Sequence, residues 1–357
     1  MNKLMKADRS GYLFDNRSLV TLILPLIVEQ LLAVLVGMAD SIMIASVGEA
    51  AVSGVSLVDQ VMVLLINIFA ALATGGAVVA GQYLGHRRRE AACESATQLV
   101  WFITICAVVI TVLVYAGKNL ILHGVFGQIE PEVMGHADIY LMIVTMAIPF
   151  MALYNAGAAV FRAMGNSKVS MEISILMNVI NVAGNAILIY GFHRGTEGVA
   201  IPTLVSRIVA AVIIIALLCD EKQTLHIKRT WRYRVDWSHV KKILSVGVPN
   251  GLENSMFQLG KILVLSLVST FGTYAIAANA VGNSIALFQI LPGMAINLAV
   301  TTVIARCVGA GDYEQVKYYN KKLMIITHIG TAVMVVGVFA VLPLILKAYH
   351  LSDAAAE

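Results

Sequence analysis

Nine apolar stretches, near residues 19–45, 56–84, 95–117, 137–160, 170–191, 198–219, 243–269, 276–305 and 323–347, each reach the roughly 20 residues that a helix needs to cross a bilayer. In hydrocarbon every backbone N–H and C=O must be satisfied within the segment or in a closed barrel. The alternating runs of about ten residues that a barrel strand needs are missing from the sequence. The expectation is an all-α polytopic membrane protein with nine transmembrane helices. Only 13% of the 357 residues are charged, about half the share of a soluble chain, which leaves little material for an aqueous domain. The first stretch carries Glu29 and Asp40 and lacks a small-residue cleavage site, so it reads as a retained helix and not as a signal peptide.

Lys and Arg orient the chain. With the N-terminus in the cytoplasm, the inner segments are those around 1–18, 85–94, 161–169, 220–242 and 306–322, and they hold 20 of the 25 basic residues. That asymmetry follows the positive-inside rule and predicts a plasma (inner) membrane protein with a cytoplasmic N-terminus. Basic runs such as Arg87, Arg88 and Arg89 are then topological signals, and no nucleic-acid partner is expected. Cys93, Cys106, Cys219 and Cys307 are far apart and show no metal-binding spacing. A GxxxxGK[ST] phosphate loop is also missing, so the chain is not expected to hydrolyse ATP or to act as an enzyme.

Sliding the sequence over itself by 224 residues pairs Pro25 with Pro249, Glu29 with Glu253, Gly48 with Gly272, Gly85 with Gly309 and Glu90 with Glu314. These are uncommon residue types in a lipid-soluble chain, which makes the match informative. Six spans separate equivalent points. Both copies therefore enter the membrane in the same direction, and an axis along the membrane normal would relate them. The expected organisation is a six-helix lobe over residues 1–219, an inter-lobe cytoplasmic linker over 220–242, and a partial second lobe of three helices over 243–357. On this reading the second lobe stops half built, and truncation is the expected cause.

An ionisable side chain inside the bilayer costs roughly 2.5–3.5 kcal/mol and so requires a partner, a wet cavity or a function. In the first stretch Pro25 can kink the helix, and Glu29 follows one turn later. Asp40 lies eleven residues beyond Glu29, about three turns, so both carboxylates share one face at two depths. The fifth stretch offers Asn178, Asn181 and Asn185, and the sixth offers Thr203 next to Pro202. Counted from the helix ends, Asp40, Asn185 and Thr203 all fall in the outer half. Carboxylate, amide and hydroxyl oxygens suit a hard cation such as sodium, and a buried carboxylate also suits proton carriage. Amides that merely glue helices together are the structural alternative. In the seventh stretch Glu253, Gln258 and Lys261 cluster. The eighth supplies Asn279, Asn283, Gln289 and Asn297, and Asp59, Gln60 and Asn67 lie on the second. Glu29, Glu253, Gln258 and Asn283 are the candidate lining of a substrate cavity, with Pro25 and Pro249 as helix kinks.

Four segments resemble the multidrug and toxic compound extrusion (MATE) family: LPLIVEQLLAVLVGMADSIMIASVG in the first helix, FRAMGNSK at 161–168, NVAGNAILIYG at 181–191 and ARCVGAGDYEQ at 305–315. The resemblance implies two facing helical lobes that expel organic cations by alternating access in exchange for protons or sodium. It maps Asp40, Asn181 and Thr203 onto a cation site in the first lobe. Asn185 departs from the family pattern, where many members have Asp, and Gln258 stands where a second acid occurs. The implied function is a secondary antiporter that exports small organic cations, acts as a monomer among membrane lipids, and requires no organic cofactor or bound metal beyond sodium at Asp40. A lipid-linked precursor flippase and a transport-incompetent remnant are the alternatives.

Overall fold

The computed structural model describes residues 11–125, 130–228, 234–269 and 273–349. Gly272, Arg229, Arg232 and both chain ends lie outside the described residues. Ten α-helices follow one another: α1 (Asn16–Ala45), α2 (Glu49–Gly85), α3 (Arg89–Ala116), α4 (Pro131–Met146), α5 (Ile148–Ala163), α6 (Ser167–Ala186), α7 (Glu197–Leu218), α8 (Trp237–Ser269), α9 (Thr273–Gly309) and α10 (Tyr313–Tyr349). Short π-helical turns at Leu120–Val125 and Ile187–Gly191 follow α3 and α6. Among the described residues no strand occurs, and the protein is an all-α, multi-pass membrane protein.

Two elements differ from the apolar pattern. The fourth stretch, expected as one helix over 137–160, is two helices, α4 and α5, bent by 47° at Ala147. Pro149 explains the break, because its ring lacks an N–H and collides with the carbonyl four residues earlier, so the chain restarts with proline in the first turn of α5. The seventh stretch forms α8. However, the helices with the length and apolarity of a membrane span number seven among the described residues, or eight with the bent pair, and α8 is not one of them. Asn250, Glu253, Asn254, Gln258 and Lys261 dilute its apolar character.

The two repeats meet at the end of the bundle that carries Arg87, Arg88, Arg89 and Arg306, where α2 crosses α9. A methyl group at Gly81 would sit 3.1 Å from the Ala305 Cβ, one at Gly85 would fall 2.2 Å from the Arg306 carbonyl oxygen, and one at Gly309 would fall 2.1 Å from the Gln82 carbonyl oxygen. Every one of these partners is 224 positions from its repeat mate. The reciprocal contact of residue i with j, and of j's mate with i's, is what a two-fold axis imposes on equivalent elements. Glycine is required because the backbones approach closer than any Cβ allows.

Around this crossing the first helix of each repeat lies against the second helix of the other. Gly75 of α2 meets the Ile243 carbonyl and the Gly247 backbone of α8. In the counterpart contact, Leu19, Leu22, Ile23 and Leu26 of α1 bury against Ala295, Ile296 and Ala299 of α9. The buried apolar clusters thus cross the boundary expected at residue 219. Phe14 and Tyr319 extend this seam: the Phe14 N–H donates to the Tyr319 hydroxyl at 3.0 Å, which in turn donates to the Phe14 carbonyl at 2.5 Å. Arg306 Nε donates to the Ala163 carbonyl at 3.0 Å. Away from the basic end, Leu31, Leu35, Met38 and Ile42 of α1 and Leu252, Met256, Leu259 and Leu263 of α8 are exposed.

The described parts of the 220–242 segment dock on α3. Arg89 donates to the Thr224 carbonyl at 2.9 Å and to the Gln223 carbonyl at 2.7 Å, while Gln98 donates to the Arg234 carbonyl at 2.8 Å and accepts from the Asp236 N–H at 3.2 Å. Leu225 is fully buried beneath these contacts.

Candidate functional site

α1 and α6 run side by side in the same direction, so polar positions on one reach polar positions on the other. Near the basic end Ser167 Oγ donates to the Leu22 carbonyl at 2.6 Å. One level up, Ser170 Oγ donates to Glu29 Oε2 at 2.9 Å, and Arg162 of α5 lies 3.7 Å from Glu29 Oε1. Higher still, Asn185 Nδ2 donates to Asp40 Oδ1 at 2.7 Å. Asp40 and Glu29 do share one face of α1, as the eleven-residue spacing requires, but that face is covered by α6. Glu29, expected in a substrate cavity, is a buried member of an ion pair instead.

Asn181, Asn185 and Thr203 converge with Asp40. Asn185 Nδ2 also approaches Asn181 Oδ1 at 3.4 Å, and Asn181 Nδ2 donates to Thr203 Oγ1 at 3.0 Å, which itself donates to the Val199 carbonyl at 2.8 Å. Three elements hold this chain of groups in place. Asn181 and Asn185 are one turn apart on α6, and the helix passes into a π-helical turn just beyond them. Gly184 lets α6 close on Pro202 of α7, since a methyl there would meet the proline ring at 2.7 Å. Asn185 is fully buried, yet its Oδ1 has no hydrogen-bond partner. An orphan acceptor beside a carboxylate and a hydroxyl is a set of hard oxygen ligands that suits a small cation or a proton.

A second polar group faces the same interior. The Tyr140 hydroxyl of α4 donates to Asp59 Oδ1 of α2 at 3.0 Å. Arg207, one turn beyond Thr203 on α7, donates from Nη1 to the Met151 sulfur of α5 at 3.5 Å. The sequence marked Asp59 as a polar residue inside a span, but carried no sign of its Tyr140 partner. Tyr140 and Met151 were missed, because one hydroxyl or thioether in an apolar run is unremarkable without its neighbours.

The remaining candidates do not join this interior. Glu253 is exposed on α8, Gln258 is half-buried there, and Asn283 is exposed on α9. Lys261 lies 5.1 Å over the Phe257 ring, and among the described residues it forms no ion pair with an acid. Pro25 and Pro249 lie inside α1 and α8, which continue through them.

The MatE family profile matches residues 25–187 and 249–357, two segments whose starts lie at the repeat-mated prolines. The chain belongs to the MatE family. It is 28% identical over 308 residues to the probable multidrug resistance protein NorM of Thermotoga maritima, covering 84% of this chain and 65% of that protein. It is also 26% identical over 301 residues to the uncharacterized transporter YisQ of Bacillus subtilis, covering 83% and 66%. The chain thus spans about two thirds of the length of these curated relatives. Among solved structures, an outward-facing multidrug resistance MATE family transporter of the MOP superfamily matches with a TM-score of 0.89 at 20% identity, over 95% of this chain and 75% of that one. A MOP superfamily transporter from Pyrococcus furiosus matches with a TM-score of 0.88 at 21% identity and the same coverage. At such identities the likeness establishes the fold.

Proposed function

We propose that this chain works as a secondary active antiporter that exports small organic, mainly cationic, solutes or drugs in exchange for protons or sodium, and that Asp40 carries the coupling charge. The observation that carries the proposal is the array of Asp40, Asn185, Asn181 and Thr203. It is buried in lipid-spanning helices, held in register by α6 and α7, and left with an unpaired acceptor at Asn185. The names of the relatives, among them probable multidrug resistance proteins, support the substrate class. Under the positive-inside rule the basic end, with the seam at Gly85, Gly309, Phe14 and Tyr319, faces the cytoplasm of the inner membrane.

The test is export of ethidium from cells expressing the chain, energised in turn by an imposed proton gradient and by an imposed sodium gradient. Coupled export should appear with one of these ions and collapse in Asp40→Asn, which keeps the hydrogen-bonding shape and removes the charge, with membrane insertion unchanged. Export that survives Asp40→Asn would remove Asp40 from the coupling step. Export absent from well-inserted wild-type protein would overturn the antiport reading.

A further inference from the structure

α1 and α10 each pack on α9, and between them, at the basic end of the bundle, runs an apolar groove of about 400 Å³. Leu19 and Ile23, buried against α9, line it together with Val20 and Leu24, which are more than half exposed, and Ile326 of α10 completes the lining. From Asn16 to Ile27 the α1 side of the groove rises about 16 Å, close to half of the roughly 30 Å hydrocarbon core of a bilayer. That is the reach of one acyl chain in one leaflet. Two cations stand at the basic mouth. Lys322 lines the groove itself, and Arg17 is exposed one turn before Val20, on the face that continues to Leu24.

Lys322 donates to Asn16 Oδ1 and lies 5.6 Å over the Tyr318 ring, both neutral groups, and among the described residues it forms no ion pair. An ammonium has three donors, so capacity for an anion remains. Asp15 is turned to its own helix, where it accepts from the Ser18 N–H at 2.8 Å. The repeat sharpens the contrast. Gln98, the mate of Lys322 at 224 positions earlier, is taken up by the Arg234 carbonyl and the Asp236 N–H of the docked segment, whereas Lys322 puts a charge beside an open apolar groove. Tyr12 and Tyr318, with ring centroids 5.2 Å apart, stand at the same mouth, as aromatic side chains do at a membrane interface. An apolar trough capped by cations fits a ligand with an anionic head and a hydrocarbon tail. A water-soluble anion would leave the trough unfilled, and a choline head would bring its own cation to Lys322 and Arg17. We propose that the groove holds one anionic glycerophospholipid of the cytoplasmic leaflet, with its phosphate on Lys322 and Arg17 and one acyl chain along Val20, Leu24 and Ile326. Because α1 belongs to the first repeat and α10 to the second, the lipid pins the two repeats together at the seam. The site is separate from the Asp40 array and does not depend on what the chain carries.

The test is native mass spectrometry of the purified chain in detergent with phosphatidylglycerol and phosphatidylcholine of identical acyl chains. One phosphatidylglycerol should be retained per chain, in preference to phosphatidylcholine by about fivefold or more, the range expected of one or two interfacial cations. The double variant Arg17→Gln, Lys322→Gln should lose the preference and Lys322→Arg should keep it. Lys118→Gln, at the opposite end of the bundle, should leave it unchanged. Leu24→Trp places bulk at an exposed position, fills the groove, and should displace the lipid with both cations still present, so the test does not hang on the charge variants folding. Phosphatidylglycerol should also raise the melting temperature of the wild-type chain and not that of Leu24→Trp. The lipid site is overturned if the two lipids are retained alike, or if the preference survives the double variant. Preference that survives Leu24→Trp overturns it too, since headgroups would then be adsorbing to the basic end without using the groove. A wild-type melting temperature that phosphatidylglycerol leaves unchanged would overturn the pinning of the seam.

Discussion

Glu29 and Glu253 hold the same register in α1 and α8, each four residues after a proline, yet they have different surroundings. Glu29 is 9% exposed, with Ser170 at 2.9 Å and Arg162 at 3.7 Å, whereas Glu253 stands exposed on its helix. The difference lies in the neighbours. α6 covers the polar face of α1, and among the described residues no helix does the same for α8. Where the repeats touch each other, by contrast, they are alike, with Gly85 against Gly309 and Gly81 against Ala305. A repeat preserves position in the chain, and the environment of a position is preserved only where the same neighbours are supplied.

That comparison can be broken at its alike end first. Gly85→Leu would force a side chain into the Arg306 backbone, and the shared crossing should lose more than about 3 kcal/mol, beyond ordinary overpacking. The expected result is aggregated or proteolysed protein in place of a single peak in detergent. A monodisperse, fully stable variant would show that the crossing is dispensable.

The next effect tests the unlike pair directly. Glu29→Gln leaves Arg162 buried without its acid and should cost about 2 kcal/mol, less than the full penalty for a broken buried pair because the contact is 3.7 Å long. The equivalent Glu253→Gln should change stability by less than about 0.5 kcal/mol, as exposed substitutions do. Thermal melting of the two purified variants side by side gives the contrast, and equal losses would erase it. Tyr319→Phe removes both hydrogen bonds to the Phe14 backbone and should cost about 1 kcal/mol while loosening the basic-end seam. Faster cysteine labelling in that seam is the readout.

The smallest effect concerns the docked segment that leads into α8. The Asp236 carboxylate accepts hydrogen bonds from the Ser238 side chain and N–H and from His239, which hold its pKa down at about 2. Because the folded value is depressed, this contribution is present above the usual carboxylate range and is lost as pH falls toward about 2. Asp236→Asn should flatten a slight acid destabilisation between about pH 4 and pH 2 by removing the contribution at neutral pH, so its melting point is slightly lower than wild type near pH 7 and converges with it near pH 2 in acid-titrated melting curves.

Much of the architecture was legible before any coordinates. Apolar length selected helices, and the 224-residue offset paired Gly85 with Gly309, which meet at the crossing. Turn counting put Asp40, Asn185 and Thr203 in one half of their helices and aligned Asn181 with Asn185, and the family resemblance grouped Asp40, Asn181 and Thr203. Glu29 was placed in a cavity because periodicity tells which residues share a face and says nothing about what covers that face, and the fourth stretch was drawn as one helix because apolar length alone gave no weight to Pro149.

By itself the sequence determined the class of fold and which polar residues share one face of a helix, since these depend on the chain's own hydropathy, spacing and helical rise. Only the tertiary structure decided which helices stand beside one another, and so that Glu29 pairs with Arg162, that Tyr140 holds Asp59, and that Arg207 donates to the Met151 thioether. Those outcomes depend on lateral packing between helices distant in the chain, which no spacing along one helix encodes.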